Sequence, residues 1–169
     1  ALALITSDSE RTFATHLGAA VELTIDDLKP MLFDGYDILY LEGYLISDFQ
    51  FVETACRFAK ENDMLVALDL ASYNIVESYL DSYRIIVEKY VNILFANEQE
   101  AFEFTGLEPE KALPVLSCLS DIVILKAGAE GSWVRSKDEE IRINAFPVKC
   151  VDTTGAGDLY AAGFLYGFA

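Results

Sequence analysis

A chain of 169 residues has enough material for one sizeable buried core, and no shift in composition marks a second, so a single domain over residues 1–169 is expected. Its formal net charge of -16 at pH 7 opposes attraction to nucleic-acid backbones and anionic membrane surfaces, and no apolar run is long enough to cross a bilayer. Neither nucleic acid nor a membrane is therefore an expected partner, and an anionic ligand must be held by a local device against the field of the whole chain.

Hydrophobic residues make up 53% of the chain, above the usual apolar share, which suits a parallel sheet whose strands are covered on both faces and apolar throughout. Cys56, Cys118 and Cys150 form no CxxC pair. They read as buried small hydrophobes in a reducing, cytoplasmic setting, not as a disulfide frame or a zinc site. His16 is the only histidine, which leaves a His-based triad or a His-rich metal centre short of material.

In chain order, apolar β-branched runs predict strands over 2–6, 38–41, 65–70, 93–96 and 122–125, alternating with segments of helical period. A helix is expected from Thr24, capped by Asp27 and presenting Leu28, Met31 and Leu32 on one face. A second covers about 47–62, with Phe49, Val52, Cys56 and Ala59 at helical spacing. A third follows residue 97, and a last apolar helix covers 159–168. After Lys126 the pattern changes to short strands over 133–135, 140–144 and 147–151, so mixed pairing is expected at one sheet edge. Residue 1 opens directly on a strand pattern and residue 169 closes an uncapped apolar helix, which predicts a fragment of a longer protein.

The chemistry-bearing residues stand where predicted strands end. Asp152-Thr153-Thr154-Gly155-Ala156-Gly157-Asp158 joins a strand to the last helix. Small residues at Gly155, Ala156 and Gly157 let the backbone approach a ligand, and the unpaired amides of the first helical turn stabilise an anion. Asp158 falls in the same turn, within reach of a proton to be abstracted; a plain glycine turn with Asp near a helix start is the structural alternative. Asn97-Glu98-Gln99-Glu100 sits where ligands gather in open α/β sheets. Glu100 there could hold hydrated Mg2+ through water, or simply cap the helix. Lys126-Ala127-Gly128-Ala129-Glu130-Gly131 closes the strand over 122–125 with a turn whose amides could lie against a nucleotide, or which merely joins two strands. Asp69, at the end of the strand over 65–70, is a further candidate without an assigned role.

DTTGAGD, followed by small and aromatic residues, closely resembles the C-terminal signature of ribokinase-like (PfkB) sugar and nucleoside kinases. Asn97 to Glu100 resembles that family's NxxE motif, and Lys126 to Gly131 its TxGxxG segment, with Lys126 replacing the usual Thr. Ser9-Glu10-Arg11-Thr12 resembles a segment in which an arginine approaches the transferred phosphate; Arg11 could instead pair in solvent with Asp8 or Glu10. The motifs occur in family order from Ser9 to the last helix.

The resemblance implies a three-layer α/β/α ribokinase-like fold with a mostly parallel central sheet. It also implies transfer of the γ-phosphoryl of ATP to a hydroxymethyl group of a sugar or nucleoside acceptor. By the same resemblance Asp158 is the catalytic base, and Gly155, Ala156 and Gly157 form the anion hole. Asn97, Glu100, Lys126, Gly128, Glu130 and Gly131 bind the nucleotide, Mg2+ lies near Glu100, and a monovalent cation (K+) lies near Asp152 and Thr154. The family's N-terminal sugar-gripping and lid segment and its C-terminal end have no counterpart in the sequence, and room is left for a homodimer of the full-length protein. Two rivals remain: a vitamin-precursor kinase of the same superfamily, disfavoured by the GAGD ending, and a nucleotide-sensing domain without turnover. A Rossmann oxidoreductase ranks last, because no GxGxxG follows the first strand.

Overall fold

A computed structural model of the chain describes residues 2–5, 11–16, 18–137, 139–150 and 152–169. They fall into two compact units: Leu28–Phe146, and the terminal stretches Ala1–Asp27 with Pro147–Ala169.

In the terminal unit, β1 (Leu2–Ile5) pairs antiparallel with β2 (Arg11–Ala14) as a two-stranded ribbon, Leu2 opposite Ala14. The strand expected over 2–6 forms, but in this antiparallel ribbon and not in a covered parallel sheet: Leu2, Leu4 and Ile5 are all more than half exposed. The Thr24 cap forms, its backbone N–H and hydroxyl donating to Asp27 Oδ2 at 2.8 and 3.0 Å. The expected α-helix does not follow it; the segment makes two 3-10 turns, Ile25–Asp27 and Pro30–Leu32. Pro30 has no amide to donate and holds Lys29 extended (φ -107°, ψ 136°), so the helix cannot propagate and Met31 and Leu32 stay exposed.

The Leu28–Phe146 unit is built on a six-stranded sheet. Its elements are β3 (Ile38–Glu42), α1 (Phe49–Glu61), β4 (Leu65–Asp69), α2 (Tyr73–Ser78), α3 (Leu80–Tyr90), β5 (Ile93–Asn97), α4 (Glu98–Thr105), α5 (Pro109–Leu116), β6 (Ile122–Lys126), β7 (Ser132–Ser136) and β8 (Glu139–Ile143). The strand order is β3-β4-β5-β6-β7-β8, with β3 to β6 parallel and β7 and β8 antiparallel, the mixed edge expected from the sequence. No strand forms over 147–150, where Pro147 cannot donate to a ladder; Val151 lies outside the described residues.

Alternation along the strands divides them between two faces. Leu41, Val66, Leu68, Leu94, Ala96, Val123 and Leu125 pack in one cluster with α1, α3, α4 and α5, through residues such as Val52, Ile86, Phe104 and Leu113. Each such Val, Leu, Ile or Phe burial contributes about 1.5–3 kcal/mol. On the opposite face Ala67, Ile93, Phe95 and Ile124 are equally buried, so both faces of the central strands are closed to water. Asp48 caps α1 by accepting the Phe51 N–H at 3.0 Å. Cys56 is buried in this core, and burial pushes its thiol up to about 12. Cys118 and Cys150 are exposed, against the expectation for all three.

Candidate active site

Parallel strands end together, and here their ends carry the polar residues. Glu42 closes β3, Asp69 β4, Asn97 β5 and Lys126 β6, with Glu42 in register with Asp69 and Asn97 with Lys126. By alternation all four belong to the sheet face opposite α1 to α5. The edge is tightly packed: Tyr83 of α3 brings its hydroxyl to 2.9 Å from both the Gly43 and Leu70 carbonyl oxygens. A side chain at Gly43 would meet that hydroxyl and come within 2.6 Å of the Asp69 carbonyl, so only glycine fits.

Asn97 and Glu100 form a complete capping box at the start of α4. Asn97 Oδ1 accepts the Glu100 N–H at 2.9 Å, while the Asn97 N–H and side-chain amide donate to Glu100 Oε2 and Oε1 at 2.8 and 2.7 Å. Glu100 is only 2% exposed. Burial pushes its carboxyl up to about 7; the Asn97 N–H and the Lys126 charge act against that rise, and Asp69 adds to it. Lys126 Nζ lies 2.6 Å from Asp69 Oδ2, an ion pair reaching across the end of β5. Asp69 Oδ1 also accepts the Ala71 N–H at 3.0 Å. Tyr44 follows Gly43, and burial and then Glu100 raise its phenol above the ordinary value.

Among the described residues no three acidic, Cys or His side chains gather to cage a metal, and both Glu100 oxygens already serve Asn97. Such a donor set fits an ion that keeps its waters and takes ligands from phosphates, as Mg2+ does.

In the terminal unit α6 (Ala156–Phe168) starts from Gly155, whose φ of 75° lies in the left-handed region that favours glycine. The Ala156 N–H bonds the Thr153 carbonyl at 3.1 Å, and Leu159 is the first to bond back into the helix, to Gly155 O at 2.9 Å. The Gly157 and Asp158 amides thus belong to the helical start that has no intrahelical acceptor, where an anion is stabilised. Asp158 is exposed in that first turn. Asp152 Oδ1 accepts both the Thr154 N–H (2.8 Å) and its hydroxyl (2.7 Å), which orders the turn before the glycine.

Residues 1–169 match the family described as pfkB family carbohydrate kinase. The chain belongs to that family. Among pfkB relatives it is 29% identical over 162 residues to the 5-dehydro-2-deoxygluconokinase of Clostridium perfringens, covering 88% of this chain and 48% of the relative. It is 33% identical over 121 residues to the ribokinase of Haemophilus influenzae, covering 68% of this chain and 37% of the relative. The adenosine kinase structure from Sinorhizobium meliloti superposes with a TM-score of 0.92 at 34% identity, over 98% of this chain and 53% of that one. The fold is accordingly the three-layer α/β/α ribokinase-like fold, and the chain spans about half the length of these relatives or less.

Against that pfkB pattern, the structure brings Asn97, Glu100 and Lys126 to one sheet edge, and adds Asp69 to them. Gly128 (φ 50°) is open, with nothing within 4 Å of an added side chain, whereas Gly131 (φ 92°) is packed against the Ile143 carbonyl of β8. The second glycine of that turn therefore serves the join between strands, and Glu130 is exposed beside it. The turn's Glu130 and Gly131 amides bond back to the Ala127 and Gly128 carbonyls at 2.9 and 3.1 Å, leaving the Gly128 and Ala129 amides as the pair a nucleotide could use. Arg11 opens β2, but its side chain lies outside the described residues. The Asp69 and Lys126 partnership escaped sequence reasoning, since the two are 57 positions apart and linked only by strand order.

Proposed function

We propose that this chain carries the nucleotide-binding and catalytic residues of a kinase that transfers the γ-phosphoryl of ATP to a hydroxymethyl group of a sugar or nucleoside. The observation that carries the reading is the Gly155 turn: a left-handed glycine opens α6, in a pfkB chain, with Asp158 in the helix's first turn. Catalysis of phosphoryl transfer is mainly positioning and charge stabilisation. The amides at Gly157 and Asp158, at the positive end of the helix dipole, stabilise phosphoryl oxygens as charge develops on them. The Asp158 carboxylate, exposed and unburdened by an ion pair among the described residues, accepts the proton of the attacking hydroxyl. Mg2+ would be held near Glu100 through water and would neutralise charge on the nucleotide phosphates. Within the Leu28–Phe146 unit, Glu100, Asn97 and Lys126 orient the nucleotide at the ends of β5 and β6.

The test is ADP release by the full-length protein with ribose, fructose, 2-keto-3-deoxygluconate, 5-dehydro-2-deoxygluconate, adenosine and inosine as acceptors. Release with one of them supports the reading and names the acceptor; ATP binding with no release from any would turn it to nucleotide sensing. A monovalent cation is part of the proposal: the Asp152 carboxylate and Thr154 carbonyl, ordered in one turn, would hold K+ behind the amides of α6. Activity should then rise in potassium over a bulky organic-cation buffer, and equal rates in the two would discard the cation.

A further inference from the structure

We propose that Asp69 is the positioning residue of the nucleotide site, fixing the Lys126 ammonium so that its free donors meet a nucleotide phosphate at the carboxyl edge of β4 to β6. This rests on the kinase reading given above. An ammonium carries three N–H donors. Asp69 Oδ2 takes one at 2.6 Å, and no other acceptor for Lys126 occurs among the described residues. Two donors are left on a side chain that is only 17% exposed, beside an Asp69 side chain at 8%. An ammonium fixed on one side by a carboxylate, with two donors left over at a strand edge, points to an acceptor-rich ligand that takes them.

The ligand's class follows from charge. An ammonium held in place by a carboxylate suits phosphate oxygens, with which it makes charge-assisted hydrogen bonds. It also offsets the negative charge of Asp69, which otherwise would repel a polyphosphate. Asp69 is suited to hold it because its carboxylate is itself fixed. Its second oxygen accepts the Ala71 N–H at 3.0 Å, where Ala71 adopts a left-handed φ of 68° unusual for a residue with a side chain. One carboxylate thus ties the turn after β4 to the ammonium at the end of β6, across β5. Lys126 would meet the ligand in the position it already holds, without a conformational search at the moment of binding.

The experiment is equilibrium calorimetry of Mg-ATP binding to the full-length protein, with no acceptor present, alongside thermal unfolding. Asp69→Asn keeps an acceptor for the Ala71 amide and removes the charge that holds Lys126, while Lys126→Gln removes the ammonium. Each should weaken ATP binding by about 10- to 100-fold, the range expected for losing charge-assisted hydrogen bonds. Lys126→Arg should bind more tightly than Lys126→Gln. In the double variant Asp69→Asn/Lys126→Gln the losses should not add, since Asp69 acts through Lys126. ATP affinity that is unchanged in either single variant, with or without a lower unfolding temperature, or losses that add in the double variant, would overturn the proposal and leave the kinase reading standing. A wild-type protein that binds no nucleotide would remove that reading and this one with it. If Lys126→Gln fails to fold, Asp69→Asn decides: wild-type ATP affinity in that variant overturns the proposal, and a loss of about 10- to 100-fold supports it.

Discussion

Asp158 and Glu100 are both acidic residues three positions into a helix, and their surroundings give them different work. Asp158 is exposed at the start of α6, free to meet a hydroxyl. Replacing it by Asn keeps size but removes the proposed proton acceptor, so kcat of the full-length protein should fall by about 10²- to 10⁴-fold while ATP affinity is retained. Paired single-turnover and binding measurements check this, and a wild-type rate with chemistry rate-limiting would exclude Asp158 as the base. Glu100, in contrast, is buried under its own capping box, and its carboxyl is pushed up to about 7 from an ordinary value of 4.5. The folded state therefore holds a proton that the unfolded chain has released, and stability should decline as pH rises from about 4.5 to about 7, then level off, with a swing on the order of 3 kcal/mol. Denaturant titrations across that window should give a flatter pH dependence for Glu100→Gln than for the wild type. The same variant should need more Mg2+ for half-maximal rate, and an unchanged Mg2+ requirement would leave Glu100 as a helix cap only.

Among the elements, the two glycines after β6 look alike in sequence and differ in structure. Both have positive φ, yet a methyl at Gly131 would run into the Ile143 carbonyl while one at Gly128 meets nothing. Gly128→Ala should cost only the left-handed backbone penalty, about 1–2 kcal/mol. Gly131→Ala should cost clearly more and loosen the pairing of β7 with β8, read as a larger drop in unfolding temperature and faster amide exchange in β8. Strands β3 to β6 were legible in the sequence to within a residue, because buried parallel strands are apolar from end to end. The segment after Thr24 misled because its cap is real but Pro30 stops the helix that the cap predicts. The run over 2–6 does form a strand, β1, but in an exposed antiparallel ribbon and not in the parallel sheet, because apolar content alone does not name a strand's partner or cover. Helix α3 had a usable signal in Tyr83, Ile86, Val87 and Tyr90, spaced at three, four and seven residues. In the candidate site, Asn97 and Glu100 were legible because a capping box is local. Asp69 was visible only as a residue at a strand end, since its partner is set by the order in which β4, β5 and β6 lie.

Over the whole molecule, helix α6 is apolar all round beyond Asp158, yet Ala161 is its only buried residue among those described, and Leu159 and Tyr166 are 75% and 90% exposed. Helices apolar all round are normally enclosed, and exposed apolar patches of this kind drive association. The isolated 169-residue chain should therefore associate with rising concentration in sedimentation velocity, despite a net charge of -16 that keeps like molecules apart. Leu159→Ser with Tyr166→Ser should lower that tendency, and a wild-type chain that stays monomeric at high concentration would refute it. The sheet of the Leu28–Phe146 unit has a property of another kind, for its strands lie side by side in the order in which they occur along the chain. A ribosome delivers the chain from its N-terminus, so each strand emerges to find its neighbour already made, and no gap has to be held open for one translated later. Loop closures stay short at every step, which favours assembly during synthesis. The last strand to arrive, β8, carries Glu139, Glu140 and Arg142, charges that discourage a further strand from adding at that edge once the nascent sheet is complete.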